Sequence, residues 1–152
     1  MKTDFEQRLQ RLEETVFGVN ERLYVTIDVP GVPRFEMAVK QERDENGERI
    51  TDVSYKDAII QLDKMNCRLM TVAELQAIKH YVIKERPHAW RGEGIMEDVF
   101  GVKNFKFNEW VYDCNEIAGL RWNDGAYAGR FALRLDNGPA RRYYGIGFRC
   151  CR

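Results

Sequence analysis

The stretch "GRFALRLDN", residues 129–137, alternates without a break: Phe131, Leu133 and Leu135 take the odd positions, and Arg130, Ala132, Arg134 and Asp136 the even ones. Successive side chains of a strand emerge on opposite faces, so a period of two predicts a strand with one apolar, inward face and one polar, outward face. "YGIGFRCCR", residues 144–152, repeats the device, with Ile146, Phe148 and Cys150 on the inner side and Gly145, Gly147, Arg149 and Cys151 on the outer. The aromatic-rich "EWVYDCNE" precedes both runs, and "GPARRYY" forms a turn between them. A chain whose last third is alternating strand must supply, upstream, the elements that cover its apolar face.

Those elements can be read from local signals. "SYKDAIIQLDKMN" places Ala58, Ile59, Leu62 and Met65 on one helical face behind Ser54 as N-cap. "TVAELQAIKHYVIKER" is a second helix, with Thr71 as cap, Glu74 three residues on in capping-box spacing, and Pro87 beyond its end. "RLYVTIDVPG" and "RFEMAVKQ" are strand-like runs joined through Pro30, Gly31 and Pro33, followed by "RDENGER", whose Asn46-Gly47 pair suits a hairpin turn. Phe5, Leu9, Leu12 and Val16 recur at helical spacing and predict an amphipathic helix over residues 4–17, packed on its own domain or used in an oligomer contact. Residues 86–108, mixed and glycine-containing, predict a long irregular crossing. With 152 residues, 44% of them hydrophobic, one domain spanning 1–152 can bury a full core without metal or disulfide staples. The order of strands, two helices, irregular crossing and strands is that of an α+β fold.

Lysine plus arginine equals aspartate plus glutamate at 24 each, a balance that gives no argument for a nucleic-acid or membrane partner. The N-terminal "MKTDFEQRLQRLEETVFG" holds no long apolar run, so neither a secretory signal nor a membrane span is expected, and the expected location is cytoplasmic or virion-associated. The charge is unevenly spread. From Ile117 onward seven arginines stand against Asp124 and Asp136 alone. That tail contains no lysine, glutamate, glutamine or methionine, whereas residues 1–116 carry 8, 14, 5 and 5 of them, a frequency that would put about ten in the tail. Strands disfavour lysine and glutamate, which is one reading of the bias.

Chemistry-bearing constellations are sparse. Cys67, Cys114, Cys150 and Cys151 fall in no CxxC pair and have no histidine at zinc-ligand spacing, so they read as structural cysteines, with a disulfide as the alternative. His80 lies among apolar neighbours of a helix and His88 follows Pro87 in a loop, and neither has a serine or cysteine partner by spacing. Glu13-Glu14 and Glu97-Asp98 read as solvated faces. "WND" at residues 122–124 matches a calcium-ligand triplet of sugar-binding C-type lectins, but the companion "EPN" or "QPD" is absent and calcium needs six to eight oxygens. Calcium-dependent carbohydrate binding is therefore the alternative reading; no metal and no cofactor is expected.

Three short stretches resemble the formylglycine-generating-enzyme (sulfatase-modifying-factor) family: "CRLMTVAEL" is similar to its "RLPTEAEW", "FNEWVYD" to "GNVWEWVWD", and "GIGFRCCR" to its "GFRC" ending. The resemblance implies a C-type-lectin-like fold with small antiparallel sheets, two helices and long irregular loops. That family's oxidase chemistry needs a cysteine pair set before the ending, and "RLDNGPARRYYGIGFR" offers none, so enzymatic activity is not expected.

A wider match covers the tail. "WNDGAYAGRFALRLDNGPARRYYGIGFRCC" is similar to the variable region of the C-type-lectin-fold variable proteins diversified by diversity-generating retroelements, whose repeats read like "WNNGANAGVFALNLNN" and end in "IGFRCC". In such systems template adenines are copied with errors, and asparagine codons AAY become NNY codons, which cannot encode lysine, glutamine, glutamate, methionine or tryptophan. The resemblance thus implies a variable region over about 117–152 and accounts for the residues the tail avoids. It implies variable, ligand-binding positions at Arg121, Asn123, Asp124, Tyr127, Arg130, Arg134, Asp136, Asn137, Arg141, Arg142, Tyr143 and Tyr144, with Trp122 as fixed scaffold. These residues are polar or aromatic and, where strand parity can be read, lie opposite the apolar face. Tyrosine and arginine are also the residues that dominate hot spots and paratopes. The expected partner is a protein or surface ligand.

Overall fold

The structure is a computed structural model of the 152-residue chain, which describes residues 4, 22–92, 94–103, 105, 109–112, 120–123, 132–135 and 145–152, the backbone only for 120–123 and 132–135. The expected helix over residues 4–17 falls outside these, apart from Asp4. The described residues form an α+β arrangement of two small antiparallel sheets and three helices. Among them no helix is long and apolar enough to cross a membrane.

Strands β1 (Tyr24–Ile27) and β2 (Phe35–Ala38) pair antiparallel, with Tyr24 opposite Ala38 and Ile27 opposite Phe35. The connection turns at Gly31, whose φ of 98° only glycine adopts without strain. The polar hairpin follows as expected: Arg43 bridges Arg49, and Gly47, at φ 79°, closes a turn whose Asn46 and Glu48 amides both donate to the Asp44 carboxylate.

Helix α1 (Tyr55–Asp63) starts where Ser54 Oγ accepts from the Asp57 amide, and α2 (Val72–Glu85) starts at Thr71 with both halves of its capping box formed. Arg68 grips the Glu74 carboxylate with both terminal nitrogens, at 2.6 and 2.7 Å, tying the cap to the preceding extended segment. Within the crossing expected to be irregular lies a third helix, α3 (Ile95–Phe100). It is two turns long, has no side-chain N-cap, and ends at Gly101 in the left-handed region, so it offers too little periodicity to be read from sequence. Its Ile95 and Met96 are buried, and tertiary packing is what holds it.

The second sheet has the order β3 (Glu109–Val111), β4 (Leu120–Asn123), β5 (Ala132–Leu135). The C-terminal run joins both sheets. Glu36 and Arg152 exchange backbone hydrogen bonds, the Ala38 amide donates to Cys150, Arg68 and Cys151 exchange two more bonds, and the Trp110 amide donates to the Gly147 carbonyl.

Two buried clusters flank this central run. One gathers Ile27, Phe35, Met37 and Cys151 with Leu75, Ile78 and Val82 of α2 and Ile95 and Met96 of α3. The other gathers Ala38, Ile146, Phe148 and Cys150 with Tyr55, Ala58 and Leu62 of α1 and Trp110 of β3. Ile146, Phe148 and Cys150 therefore face inward as expected. Their alternates do not face outward: Arg149 is 3% exposed and Cys151 is fully buried. The outward assignment of Gly147, Arg149 and Cys151 is corrected for a simple reason, that helices cover both sides of the segment.

Candidate functional site

The C-terminal run is the base on which the candidate face is mounted. Gly145 has φ 81°, a left-handed conformation that costs other residues about 1–2 kcal/mol. Gly147 has no room for a side chain, because a Cβ there would overlap Gln41 and press on Arg49. Arg49 itself is half-buried; it donates to Gln41 Oε1 at 2.6 Å and to the Gly145 carbonyl at 3.2 Å, and burial holds its pKa below the ordinary arginine value.

Arg149 is the largest departure from the sequence reading. Its Nε donates to Glu109 Oε1 at 2.6 Å, Nη1 to the carbonyls of Ala38 and Val39 at 2.9 and 2.7 Å, and Nη2 to the carbonyl of Lys103 at 2.8 Å. One guanidinium thus ties β2, the segment after α3, and β3 to the C-terminal run. The signal was present in "GFRCC": an arginine with apolar residues at both parities around it belongs to a segment buried on both sides.

The cysteines take up separate positions. Cys67, Cys150 and Cys151 are free thiols, while Cys114 lies outside the described residues. Cys150 sits in the α1-side cluster and Cys151 in the α2-side cluster, on opposite faces of the run. Burial pushes both thiols well above the ordinary cysteine range, reinforced by Glu42 for Cys150 and by Glu109 for Cys151. These are inert, protonated core groups. His80 and His88 are both exposed, as are Glu97 and Asp98 on the first turn of α3. Among the described residues no group of three or more His, Cys, Asp or Glu side chains is placed to hold a metal.

Of the expected variable positions, Arg121, Asn123 and Arg134 lie on described backbone. The register sets Arg121 opposite Arg134 and opposite Trp110, Trp122 opposite Leu133 and Glu109, and Leu120 opposite Leu135 and Val111. By strand alternation Arg121, Asn123, Ala132 and Arg134 occupy one face of the ladder, and Leu120, Trp122, Leu133 and Leu135 the other. Asp124, Tyr127, Arg130, Asp136, Asn137, Arg141, Arg142, Tyr143 and Tyr144 lie outside the described residues, as does Phe131.

No protein-family model, curated protein or solved structure matches the chain.

Proposed function

We propose that the chain is a non-enzymatic ligand-binding protein with a C-type-lectin-like fold, whose C-terminal face is a hypervariable surface diversified by a retroelement. Its specificity is written at Arg121, Asn123, Arg134 and the neighbouring polar and aromatic positions of the tail, and its partner is a protein or other surface ligand. The observation that carries the reading is a division of labour within one segment. Residues 146–151 are buried throughout, whereas on β4 and β5 the three described candidate positions, Arg121, Asn123 and Arg134, share one face, in which β3 sets the buried Trp110 beside Arg121, and Leu120, Trp122, Leu133 and Leu135 share the other. A scaffold that must accept many surfaces needs this separation, because substitution at a core position costs kilocalories while substitution at a surface position costs tenths. The absence of lysine, glutamate, glutamine and methionine from the tail supports the same reading, since adenine-directed copying of AAY codons cannot produce them.

The flanking DNA tests it. Beside the gene there should be a near-copy of the tail-coding segment, differing almost only where the copy has adenine, with a reverse transcriptase gene close by. An isolated gene without such a copy refutes the reading.

A further inference from the structure

Strand β2 is paired along both of its edges and β1 along one. The Val39 amide donates to the Leu23 carbonyl at 2.8 Å, which fixes the phase of the β1–β2 ladder: Leu23, Val25 and Ile27 turn their main-chain groups toward β2. On β2 the alternate residues Glu36 and Ala38 bond the C-terminal run at Arg152 and Cys150. By the same alternation Tyr24 and Thr26 turn their amides and carbonyls away from β2, and among the described residues no hydrogen bond reaches those groups. Val25 and Ile27 belong to the cluster that α2 and α3 build, so those helices lie against a face of the strand and leave its edge open. Open edges are usually blunted by lysine, proline or a bulge. Tyr24–Ile27 contains neither residue and pairs in continuous register, and its aromatic and β-branched side chains favour the extended form. Next to it stands Leu23, 71% exposed, the most exposed large hydrophobic among the described residues.

We propose that this edge pairs with the same edge of a second copy of the chain, β1 against β1, antiparallel about a two-fold axis at Val25. The inference goes beyond the binding-face reading and does not depend on it. An axis at Val25 sets Tyr24 opposite Thr26 of the second copy, and Thr26 opposite its Tyr24, so every outward amide of one copy meets an outward carbonyl of the other. The same register sets Leu23 opposite Ile27 of the second copy and diagonal to its Val25. Those residues join the cluster under α2 and α3, so the exposed leucine extends that cluster across the axis. At either end the register sets Arg22 opposite Asp28. Asp28 is exposed and without a partner among the described residues, while Arg22 holds Glu42 through Nε and Nη2 and keeps Nη1 unbonded. Opposite charges facing each other across strands favour pairing. An axis at Thr26 would set Arg22 opposite Pro30, and one at Tyr24 would set it opposite Thr26, so neither brings the charges together. A second copy is favoured over an unrelated strand because all of these complements lie within residues 22–28 of one chain.

The test uses the full chain in sedimentation velocity over a range of concentrations, where wild type should form a reversible dimer. Thr26→Pro removes an amide that the β1–β2 ladder does not use, so the dimer dissociation constant should rise about tenfold or more while the fold keeps its bonds. Thr26→Ala keeps the amide and should change that constant by less than about threefold. Should Thr26→Pro melt early, Leu23→Lys replaces it, with a rise of about threefold or more expected. Oxidative cross-linking reads the register. Opposed residues that share no hydrogen bond have Cα atoms about 4.5 Å apart, within reach of a disulfide, so Val25→Cys should give a covalent dimer. Asp28→Cys, exposed on the same side of the loop as its own copy's β1 end but far from its counterpart across the axis, should cross-link no more than wild type. A chain that stays monomeric, a dimer that neither Thr26→Pro nor Leu23→Lys weakens, a dimer that Thr26→Ala weakens as much as Thr26→Pro, or equal cross-linking at the two cysteine positions each overturns the inference.

Discussion

Replacing Arg149 with methionine keeps much of the side chain's length and removes its charge and all of its donors. Arg149 and Glu109 are 3% and 2% exposed, so the substitution takes its guanidinium partner away from a carboxylate in the interior. Breaking a buried pair from one side costs about 3–5 kcal/mol. The carbonyls of Ala38, Val39 and Lys103 lose a donor as well, although Val39 keeps the Lys103 amide at 2.7 Å. A loss of about 4–5 kcal/mol is expected, against a total for a domain of about 5–15 kcal/mol. For a chain of this size each kcal/mol moves the midpoint about 2–4 °C, so Arg149→Met should melt roughly 10–15 °C below wild type. Urea unfolding and thermal melting read the loss, and a double-mutant cycle locates its cause. Arg149→Met/Glu109→Leu should be more stable than Arg149→Met, because the buried carboxylate that lost its guanidinium is gone. If Arg149→Met lies within about 1 kcal/mol of wild type, or if the two single losses simply add, the guanidinium is not the clamp described above.

Gly147→Ala should cost about 1–3 kcal/mol by forcing Gln41 and Arg49 aside, as overpacking does, and a melting curve like that of wild type refutes the close approach. Phe148→Ala should cost about 3–5 kcal/mol, while serine at Tyr127, Arg134, Arg141, Tyr143 and Tyr144 together should leave folding intact and abolish ligand capture; the opposite pattern in thermal melting reverses the assignment of faces. Stability should fall at alkaline pH. Burial raises the Cys151 pKa in the folded chain, so above an unfolded value of about 8.5 the unfolded chain releases a proton that the folded one keeps, and this thiol alone contributes a slope of about 1.4 kcal/mol per pH unit. Urea unfolding between pH 7 and 10 should show a shallower decline in Cys151→Ala, and parallel curves for the two proteins count against a buried thiol.

What could be read in advance was local. Ser54, Thr71 and Glu74 declare their helices through side-chain bonds spanning three residues, and the structure forms each of them. Helix α3 declares nothing, because between Gly94 and Gly101 it has six residues and no capping side chain. The interior position of Arg149 was signalled only by Cys151, the apolar neighbour at its own parity, and the alternation around it masked that signal for a different reason. Alternation reports how many faces of a strand are apolar only if polar groups stay wet, and here a buried glutamate supplied by a residue 40 positions away satisfies the arginine. The pairing of Arg121 with Arg134 was equally out of reach, since register depends on how the intervening chain turns and not on the pattern within either strand.

The hydrogen bond from the Trp110 amide to the Gly147 carbonyl, at 3.0 Å, has a consequence for how freely the tail can change. It draws together two residues that bracket every candidate position from Arg121 to Tyr144, so the rest of the molecule meets that stretch as an insert with its two ends stapled side by side. Tyr112, whose amide donates to the Met70 carbonyl, and Ile146, fully buried, stand just outside it on either side. Closing a loop between two fixed ends costs only about 0.6 kcal/mol more for each doubling of its length. The architecture thus behaves as a socket, able to hold tails of different lengths as well as different letters, provided each begins and ends at the same two points.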